Sequence, residues 1–414
     1  MRDIKLSRLQ EHAKALQSFA DSGGGTRVFG LKGHNASVDY VAAIAEQAGY
    51  DVQRQTFPHV YFEVLTQRFA AGAPINITAM TYSTSTPVGG ITAPLVLIPD
   101  PDAAPSAGCT PADFAGVDVK GKIALIQRGA CDFAVKDKNA KDAGAVGVVV
   151  YNNVPDSLLG SLLVSNDSAY IPIGSISQAG GESLARQLVA GQSINATLEI
   201  LVLSEQRYSS NVIATSKAGN QSNVIFIGSH LDSVSAGPGI NDNGSGSITI
   251  LELAVQLAKY KLKNAVRFAW WTVEEYGIVG SGRYVDNLPD NEREKIALYI
   301  NLDMVASPNY VLAVYDGDGS AGTTRAQRVY GLLCIKEPFK RPTSFNGRSD
   351  YAPFIAAGVN IPSGGLFTGA EGIKTEEQAR LFGGTAGVAY DVNYHAKGDT
   401  YDNLNFEAFL INAR

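Results

Sequence analysis

The sequence lacks an apolar run long enough to cross a membrane, which would need roughly 18–20 residues, and it lacks an excess of basic residues. Its 34 Lys and Arg are outnumbered by 40 Asp and Glu, which gives a formal net charge of −6 over 414 residues. Nucleic acid is not an expected partner, because no surplus of positive charge is present to neutralise phosphates. We therefore expect no membrane span and a small or peptide ligand.

Cysteine is also scarce. The chain has three, Cys109, Cys131 and Cys334, and the odd count allows at most one internal disulfide. Cys109 with Cys131 is the favoured pair, because the two bracket a turn and a strand in what reads as one small β-rich unit. Three separate buried thiols are the alternative.

Asn-x-Ser/Thr sequons, in contrast, are frequent, at about twice the number that random placement would give. This enrichment indicates secretion and glycosylation, although the first residues lack the apolar stretch of a signal peptide, so we expect any signal to have been removed. The six sequons begin at Asn35, Asn76, Asn166, Asn195, Asn220 and Asn243.

The length favours one large domain that carries a second. Residues 67–204 are rich in short β runs with two helical stretches, which is typical of an inserted β-rich domain. Residues 1–66 and 205–414 alternate apolar strands with helices, among them SITILELAVQLAKY and SDYAPFIAAG. We predict an α/β fold there, with a mixed, largely parallel central sheet flanked by helices.

Acidic and imidazole groups follow three predicted strands. His230 and Asp232 come after NVIFIGS, Glu274 and Glu275 after VRFAWWTV, and Asp303 after ALYINL. A Glu pair is usually a solvated surface feature, and a lone His is usually structural. Here the chain has only five His, and the Glu pair follows two tryptophans, so a site at the carboxyl ends of the strands is the better interpretation.

Two further residues complete a metal-ligand set. Asp242 lies in GPGINDNGSGS, whose glycines have neither the Rossmann nor the P-loop spacing, and His395 lies in YDVNYHAKGDT. Two His and three carboxylates match two zinc ions that share one bridging carboxylate, with a fourth carboxylate left over as a base.

These residues lie in an ordered series of motifs: GSHLDS, PGINDNGSG, VEEYGIVGS, NLDM, GRSDYAPF, GGLFTGA and YH. Over almost the whole chain the series resembles the two-zinc aminopeptidase family of bacterial secreted leucine aminopeptidases and fungal vacuolar and secreted aminopeptidases. The insert, around GKIALIQRGACDFAVKDKNAKDAGAVGVVVYNN, is similar to the protease-associated domain of the fungal members. The resemblance implies a zinc exopeptidase fold, two Zn²⁺ per chain and a secreted or vacuolar location.

Residue by residue, the resemblance makes Asp242 the bridging ligand, with His230 and Asp303 on one zinc and Glu275 and His395 on the other. Glu274 would be the general base and acid, and Tyr394 would donate a hydrogen bond to the tetrahedral oxyanion. Asp232 would orient His230. The family also implies a cis peptide bond between Asp242 and Asn243.

The resemblance implies hydrolysis of the first peptide bond of peptides with a free N-terminus. Met304 and Phe367 would line an apolar pocket that prefers Leu, Met or Phe, and Arg348 is a further candidate for substrate binding. We expect a monomer. Several relatives bracket the last His with a disulfide, whereas this chain has Asn393 and Gly398 there, so another contact must hold that loop.

Three other functions remain possible on the same pattern. A carboxypeptidase or dipeptidase on this bimetal core would need a cation for the substrate carboxylate, for which Arg348 is the one good candidate. A catalytically silent receptor is another, because a fold can be retained in proteins that lack the catalytic activity. A glutaminyl-cyclase-like acyltransferase on a one-zinc version of the site is the third.

Overall fold

The computed structural model describes residues 3–100, 106–155, 160–162, 169–315 and 341–414. Its chain divides into two compact units, Met1–His59 with Arg207–Arg414 and Val60–Gln206. The expected insert, 67–204, falls inside the second unit, and its limits stay a prediction. The described helices are all too short or too polar to span a lipid bilayer.

The described strands follow one another as β1 (Asp51–Ala71), β2 (Ala73–Ile75), β3 (Thr78–Ala79), β4 (Ile91–Leu97), β5 (Ile123–Gln127), β6 (Gly147–Tyr151), β7 (Ile173–Ile176), β8 (Asn195–Thr215), β9 (Asn220–His230), β10 (Asn264–Trp271), β11 (Ile296–Leu302), β12 (Ala313–Tyr315), β13 (Arg341–Thr343) and β14 (Ser363–Phe367). The described α-helices are α1 (Leu6–Ser22), α2 (Lys32–Gln47), α3 (Phe133–Asp142), α4 (Gln178–Val189), α5 (Gly246–Leu257), α6 (Val279–Asp286), α7 (Asp290–Arg293), α8 (Ala352–Ile355), α9 (Glu376–Phe382) and α10 (Phe406–Ala413).

The first unit is built on a mixed sheet with the strand order β13, β12, β14, β11, β9, β10, β8. Four neighbouring pairs are parallel: β9 with β10, β9 with β11, β11 with β14, and β12 with β13. The pairs β8 with β10 and β12 with β14 are antiparallel. This confirms the predicted α/β class with a largely parallel central sheet.

Helices cover both faces of this sheet, so its central strands are apolar on both sides. Trp270 and Trp271 are adjacent in β10 and fully buried, yet they belong to different core clusters because successive side chains point to opposite faces. Trp270 packs in the cluster that receives α1, α2, α5 and α10, and Trp271 in the cluster that receives α6 and α8. The indole N–H of Trp270 donates to the Ser247 carbonyl at 3.0 Å.

Two local predictions differ from the structure. The helix expected over SDYAPFIAAG is a single turn, α8, because Pro353 confines its start to Ala352 and Ala356 is extended, with ψ 149°, directly after it. The strand expected over YDVQRQTFP is the first part of the much longer β1. Gly49 does end the α2 region, where its φ of 95° suits glycine.

The second unit has its own sheet and core. Strands β4, β5, β6 and β7 are parallel, while β3 pairs antiparallel with β7, and β4 pairs antiparallel with β8. Helices α3 and α4 pack on it. Cys109 and Cys131 form a disulfide, which confirms the favoured pair. Cys334 lies outside the described residues.

Candidate active site

Three parallel neighbours in the sheet bring acidic and imidazole groups to one edge. His230 is the last residue of β9, Glu274 and Glu275 follow β10, and Asp303 follows β11. Because β10 and β11 run parallel to β9 on either side, these ends meet at the same edge. The site therefore lies beyond the carboxyl ends of the strands, as the sequence predicts.

Asp242 stands between two imidazoles. Its Oδ1 lies 3.3 Å from Nε2 of His230, and its Oδ2 lies 3.2 Å from Nε2 of His395. The peptide bond from Asp242 to Asn243 is cis, as expected. The loop that presents this carboxylate leads directly into α5. Each oxygen of Asp242 thus faces a different histidine.

Two more carboxylates complete the two groups. Asp303 Oδ1 lies 3.5 Å from Nε2 of His230, and Glu275 Oε2 lies 3.0 Å from Nε2 of His395. The ligand atoms of His230, Asp242 and Glu275 also lie within 4.8 Å of one another, and so do those of His230, Glu274 and Asp303. The shorter distances pair Asp303 with His230 and Glu275 with His395.

The donor atoms of this cluster fit metal ions. Within the described part of the chain, one buried oxygen of each of two of its carboxylates has no hydrogen-bond partner: Glu275 Oε1 and Asp303 Oδ1. Buried carboxylate oxygens without a donor are costly unless a cation satisfies them. Imidazole nitrogens and carboxylate oxygens are ligands that zinc accepts. The residues present therefore suit zinc.

The crowding of like charges perturbs the protonation of the site. Burial, together with the neighbouring Asp242, raises the pKa of Glu275 to about 7. Although burial opposes its charged form, His395 has a pKa raised to about 10 by its hydrogen bonds to Asp242 and Glu275. Although burial opposes the change, hydrogen bonds from His230 and His395 lower the pKa of Asp242, so the protonation of this cluster depends on its internal hydrogen bonds.

Glu274 lies beside the ligands. Its Oε2 is 3.8 Å from Nε2 of His230, and the side chain is buried. Burial raises the pKa of Glu274 well above its ordinary value, and the nearby Asp350 and Glu275 raise it further. A carboxyl group with a raised pKa beside the proposed ligands is suited to proton transfer.

Asp232 has contacts that differ from the expected one. Its Oδ1 lies 3.8 Å from Nδ1 of His230, which is too long for a hydrogen bond. Its carboxylate instead accepts the backbone N–H of Glu274 at 3.2 Å and that of Glu275 at 3.4 Å. Asp232 thus ties the end of β9 to the turn that carries both glutamates.

The structure adds residues that sequence reasoning missed. Ser349 Oγ donates to Asp303 Oδ2 at 2.5 Å and accepts from Asn301 Nδ2 at 2.8 Å. The motifs GRSDYAPF and NLDM contain these two residues, but nothing in their spacing shows that they meet. Ser349 therefore holds one oxygen of Asp303 and is itself held by Asn301, while the other oxygen of Asp303 has no hydrogen-bond partner among the described residues.

A cavity opens over the cluster, lined among others by Met304, Phe367, Arg348 and Tyr394. Met304 is buried, and the ring of Phe367 stacks at 5.8 Å on that of Tyr315. The candidate pocket residues therefore line the same cavity as the proposed ligands, and Met304 and Phe367 contribute apolar surface to it.

Arg348 and Tyr394 form a polar rim. Arg348 Nη1 lies 2.6 Å from Oε1 of Glu371, and its Nη2 donates to the Tyr394 hydroxyl at 3.2 Å. The Tyr394 ring stacks on His395 with centroids 3.9 Å apart. Burial, with the nearby Asp242 and Glu275, raises the pKa of Tyr394, so its hydroxyl keeps its hydrogen.

The loop of His395 is held without a disulfide. A Cβ added at Gly398 would lie 2.1 Å from Oδ1 of Asn393, so the amide of Asn393 fills the space beside the glycine. The Nδ2 of Asn393 donates to Oδ1 of Asn403 at 2.7 Å. The expectation of another contact at these two positions is confirmed.

Comparison with protein-family models gives two matches. Residues 211–414 match the model described as Peptidase family M28, and residues 91–184 match that of the PA domain. The second match lies inside the insert expected from the sequence.

Known proteins agree with these matches. The chain is similar to leucine aminopeptidase 2 of Arthroderma otae, at 46% identity over 99% of this chain and 82% of the relative, and to that of Trichophyton rubrum, at 45% with the same coverage. Among solved structures, an aminopeptidase from Aneurinibacillus sp. strain AM-1 matches with a TM-score of 0.75 and 29% identity, covering 100% of this chain and 93% of that one. A zinc aminopeptidase from Bacillus subtilis matches with a TM-score of 0.61 and 26% identity, covering 99% and 94%.

Proposed function

This chain belongs to peptidase family M28, and from that membership we propose that it is a zinc-dependent aminopeptidase acting on peptides with a free N-terminus. One observation carries the proposal: the two oxygens of Asp242 face His230 and His395 separately, at 3.3 and 3.2 Å. A carboxylate placed this way is suited to bridge two cations.

We propose two zinc ions per chain. His230 and Asp303 would hold one ion, and Glu275 and His395 the other, with Asp242 shared between them. When bound, such a pair lowers the pKa of a water molecule and polarises the substrate carbonyl.

Glu274 is the proposed general base. Its buried carboxyl, with its raised pKa, takes a proton from the attacking water and later gives it to the leaving amine. The Asp232 carboxylate accepts the backbone N–H of Glu274, which fixes the turn that carries Glu274. The proposed orienting of His230 by Asp232 would need the 3.8 Å contact to shorten.

The substrate is held by groups around the cavity. The carboxylates of Glu274 and Asp303 would bind the ammonium group of the peptide, and Tyr394 would donate a hydrogen bond to the oxyanion that forms on the first carbonyl. Arg348, the candidate cation for a substrate carboxylate, is paired with Glu371, whose charge offsets that of the guanidinium. This supports an aminopeptidase over a carboxypeptidase.

We also propose a secreted or vacuolar location. Of the six sequons, those at Asn35, Asn76, Asn195 and Asn220 have exposed asparagines. Asn166 lies outside the described residues. The expectation of a monomer stays a prediction.

One assay tests the function. The substrate is a leucyl tripeptide offered in three forms: free at both ends, acetylated at the N-terminus, and amidated at the C-terminus. We expect release of leucine from the free and amidated forms, none from the acetylated form, loss of activity with a chelator and recovery with added zinc. Cleavage that requires a free C-terminus would instead indicate a carboxypeptidase, and chelator-resistant activity would refute the zinc chemistry.

A further inference from the structure

His395 differs from the other proposed ligands in how the fold presents it. The others are buried near strand ends or at the start of α5, whereas the side chain of His395 is 41% exposed and comes from a loop of turns between residues 391 and 400. Its backbone φ is 52°, in the left-handed region that a residue with a Cβ adopts only when its surroundings hold it there. Something in the structure must therefore fix this loop.

Asp399 makes the contacts that do so. Its buried carboxylate accepts two successive backbone N–H groups, that of Asn241 on Oδ1 at 2.7 Å and that of Asp242 on Oδ2 at 2.9 Å. Its own carbonyl accepts the N–H of Ile240 at 3.0 Å. Asp399, in the His395 loop, thus accepts hydrogen bonds from three consecutive residues, 240–242, the last of which is the proposed bridging ligand.

Two backbone hydrogen bonds connect Asp399 to the residues around His395. The N–H of Asp399 donates to the carbonyl of Ala396 at 3.1 Å, and the N–H of Ala396 donates to that of Asn393 at 3.0 Å. These bonds close the turn on both sides of His395. A displacement of the Asp399 carboxylate would therefore move the imidazole relative to Asp242.

Buried side-chain amides support the same connection between the His395 loop and the Asp242 segment. Asp391 Oδ2 accepts from Asn241 Nδ2 at 2.7 Å and from Asn403 Nδ2 at 2.9 Å. Asn241, which lies next to the bridging ligand, is thereby bound through its side chain to Asp391 and through its backbone to Asp399. Both ends of the His395 loop meet the Asp242 segment.

We infer that Asp399 is a positioning residue that couples His395 to Asp242 and thereby sets the affinity of the chain for its second zinc ion. The inference rests on the proposed assignment of His395 and Glu275 to that ion. The first ion would share Asp242 with the second, but its other ligands, His230 and Asp303, lie at strand ends and make no hydrogen bond with Asp399. We therefore expect a larger effect on the second ion than on the first, a difference that a general contribution to stability would not produce.

The test compares the wild type with Asp399→Asn, which keeps the shape of the side chain but turns an NH₂ toward one of the two buried amides. Each apoprotein is titrated with zinc in a competing chelator buffer, and bound metal is counted. We expect a first affinity that changes less and a second affinity weaker by about 10–100-fold, the usual effect of losing an outer partner of a metal ligand. Raising free zinc should restore kcat, with KM unchanged.

Asp402→Asn is the matched control, because Asp402 is exposed three residues further along. It should leave both affinities at the wild-type values. If Asp399→Asn weakens both ions equally, or neither, the inference is wrong. A wild type that binds a single zinc ion would overturn the two-zinc proposal itself.

A second measurement needs no variant. In the wild-type apoprotein, the amides of Asn241 and Asp242 should be protected from hydrogen exchange, because they bind Asp399 before any metal arrives. Residue-resolved exchange by mass spectrometry reports this directly. Exchange of these two amides at the rate of free peptides would overturn the inference even if the variant failed to fold.

Discussion

Arg27 Nε donates to the carbonyl of Pro238 at 2.9 Å, and the same buried guanidinium also donates to the carbonyls of Leu231 and Gly239. These carbonyls belong to the two segments that carry the first histidine and the bridging aspartate of the proposed metal site. Burial lowers the pKa of Arg27 to about 10, so it remains charged at neutral pH. It places a fixed positive charge behind a cluster of carboxylates.

We predict that Arg27→Met lowers the free energy of unfolding by at least about 2 kcal/mol, because three buried carbonyls lose their donors. Arg27→Lys should be intermediate, since an ammonium group cannot reach all three acceptors in the geometry of the guanidinium. Calorimetry of the zinc-loaded protein measures this. Arg54→Met is the control: Arg54 forms an exposed ion pair with Asp39, worth at most about 1 kcal/mol. Equal effects of the two methionine variants would refute the prediction.

Glu274→Gln should abolish most of the activity while leaving the metal content unchanged. The amide has nearly the shape of the carboxyl group but cannot take a proton from water, and a positioned general base contributes on the order of 10²–10⁴-fold. Metal analysis and kcat on a leucyl substrate check both parts. The exposed Glu294 supplies a control, and Glu294→Gln should behave as the wild type. Loss of zinc from Glu274→Gln would mean that the roles of Glu274 and Glu275 are exchanged.

Metal removal should make stability depend on pH. Burial raises the pKa of Glu275 and of Asp350 to about 7 each, so in the apoprotein both are neutral at pH 5 and must ionise in a buried site as the pH rises. Folded pKa values above the unfolded ones mean that the stability these groups contribute is present at low pH and is lost as pH rises through about 7.

We therefore expect the melting temperature of the apoprotein to fall between pH 5 and pH 8, and the stabilisation by zinc to grow over the same range. Zinc offsets the charge of the ionised carboxylates and binds only deprotonated ligands. Thermal unfolding at several pH values, with and without chelator, measures both trends. An apoprotein that becomes more stable toward pH 8 would contradict the sign.

The sequence predicts much of this site because strand ends are local signals. His230, Glu275 and Asp303 each follow an apolar run, and parallel strands bring such ends together whatever the loops do. The ordered motifs then supplied Asp242 and His395, which no periodicity could have placed. The cis bond before Asn243 likewise came from the resemblance, since nothing in local propensity favours it.

Contacts over long sequence distances are what the sequence could not show. Arg27 meets the carbonyl of Pro238 across 211 positions, and Asp399 meets the amide of Asn241 across 158. From the sequence alone, an arginine in a loop and an aspartate in a turn are expected to lie at the surface. Both are buried only because segments from distant parts of the chain converge on the metal site.

Glycosylation should avoid one sequon. The Nδ2 of Asn243 is buried and donates to the Leu302 carbonyl and to Ser229 Oγ, both at 2.9 Å, so it is inaccessible in the folded chain. The exposed Asn35 and Asn220 have no such burial. Expression in a secreting yeast, followed by glycosidase treatment in heavy-oxygen water and peptide mass spectrometry, should detect glycans at exposed sequons and none at Asn243. A glycan on Asn243 would mean modification before folding and would conflict with this geometry.

Substrate preference should follow the wall that Met304 and Phe367 form beside the carboxylates. Both residues line the cavity, so an apolar first side chain is desolvated against a thioether and an aromatic ring. We expect leucyl, methionyl and phenylalanyl peptides to be cleaved fastest, with graded differences because one methylene is worth only about 1–3 kcal/mol. Glutaminyl peptides should be slower than methionyl ones of similar shape, and glutamyl peptides slowest, since their charge would face an apolar surface and the carboxylates of Glu274 and Asp303. The value of kcat/KM for this matched series, on tripeptides that differ only in the first residue, measures the order. If glutamyl peptides were cleaved as fast as methionyl ones, the pocket assignment would be wrong, while the zinc chemistry would stand.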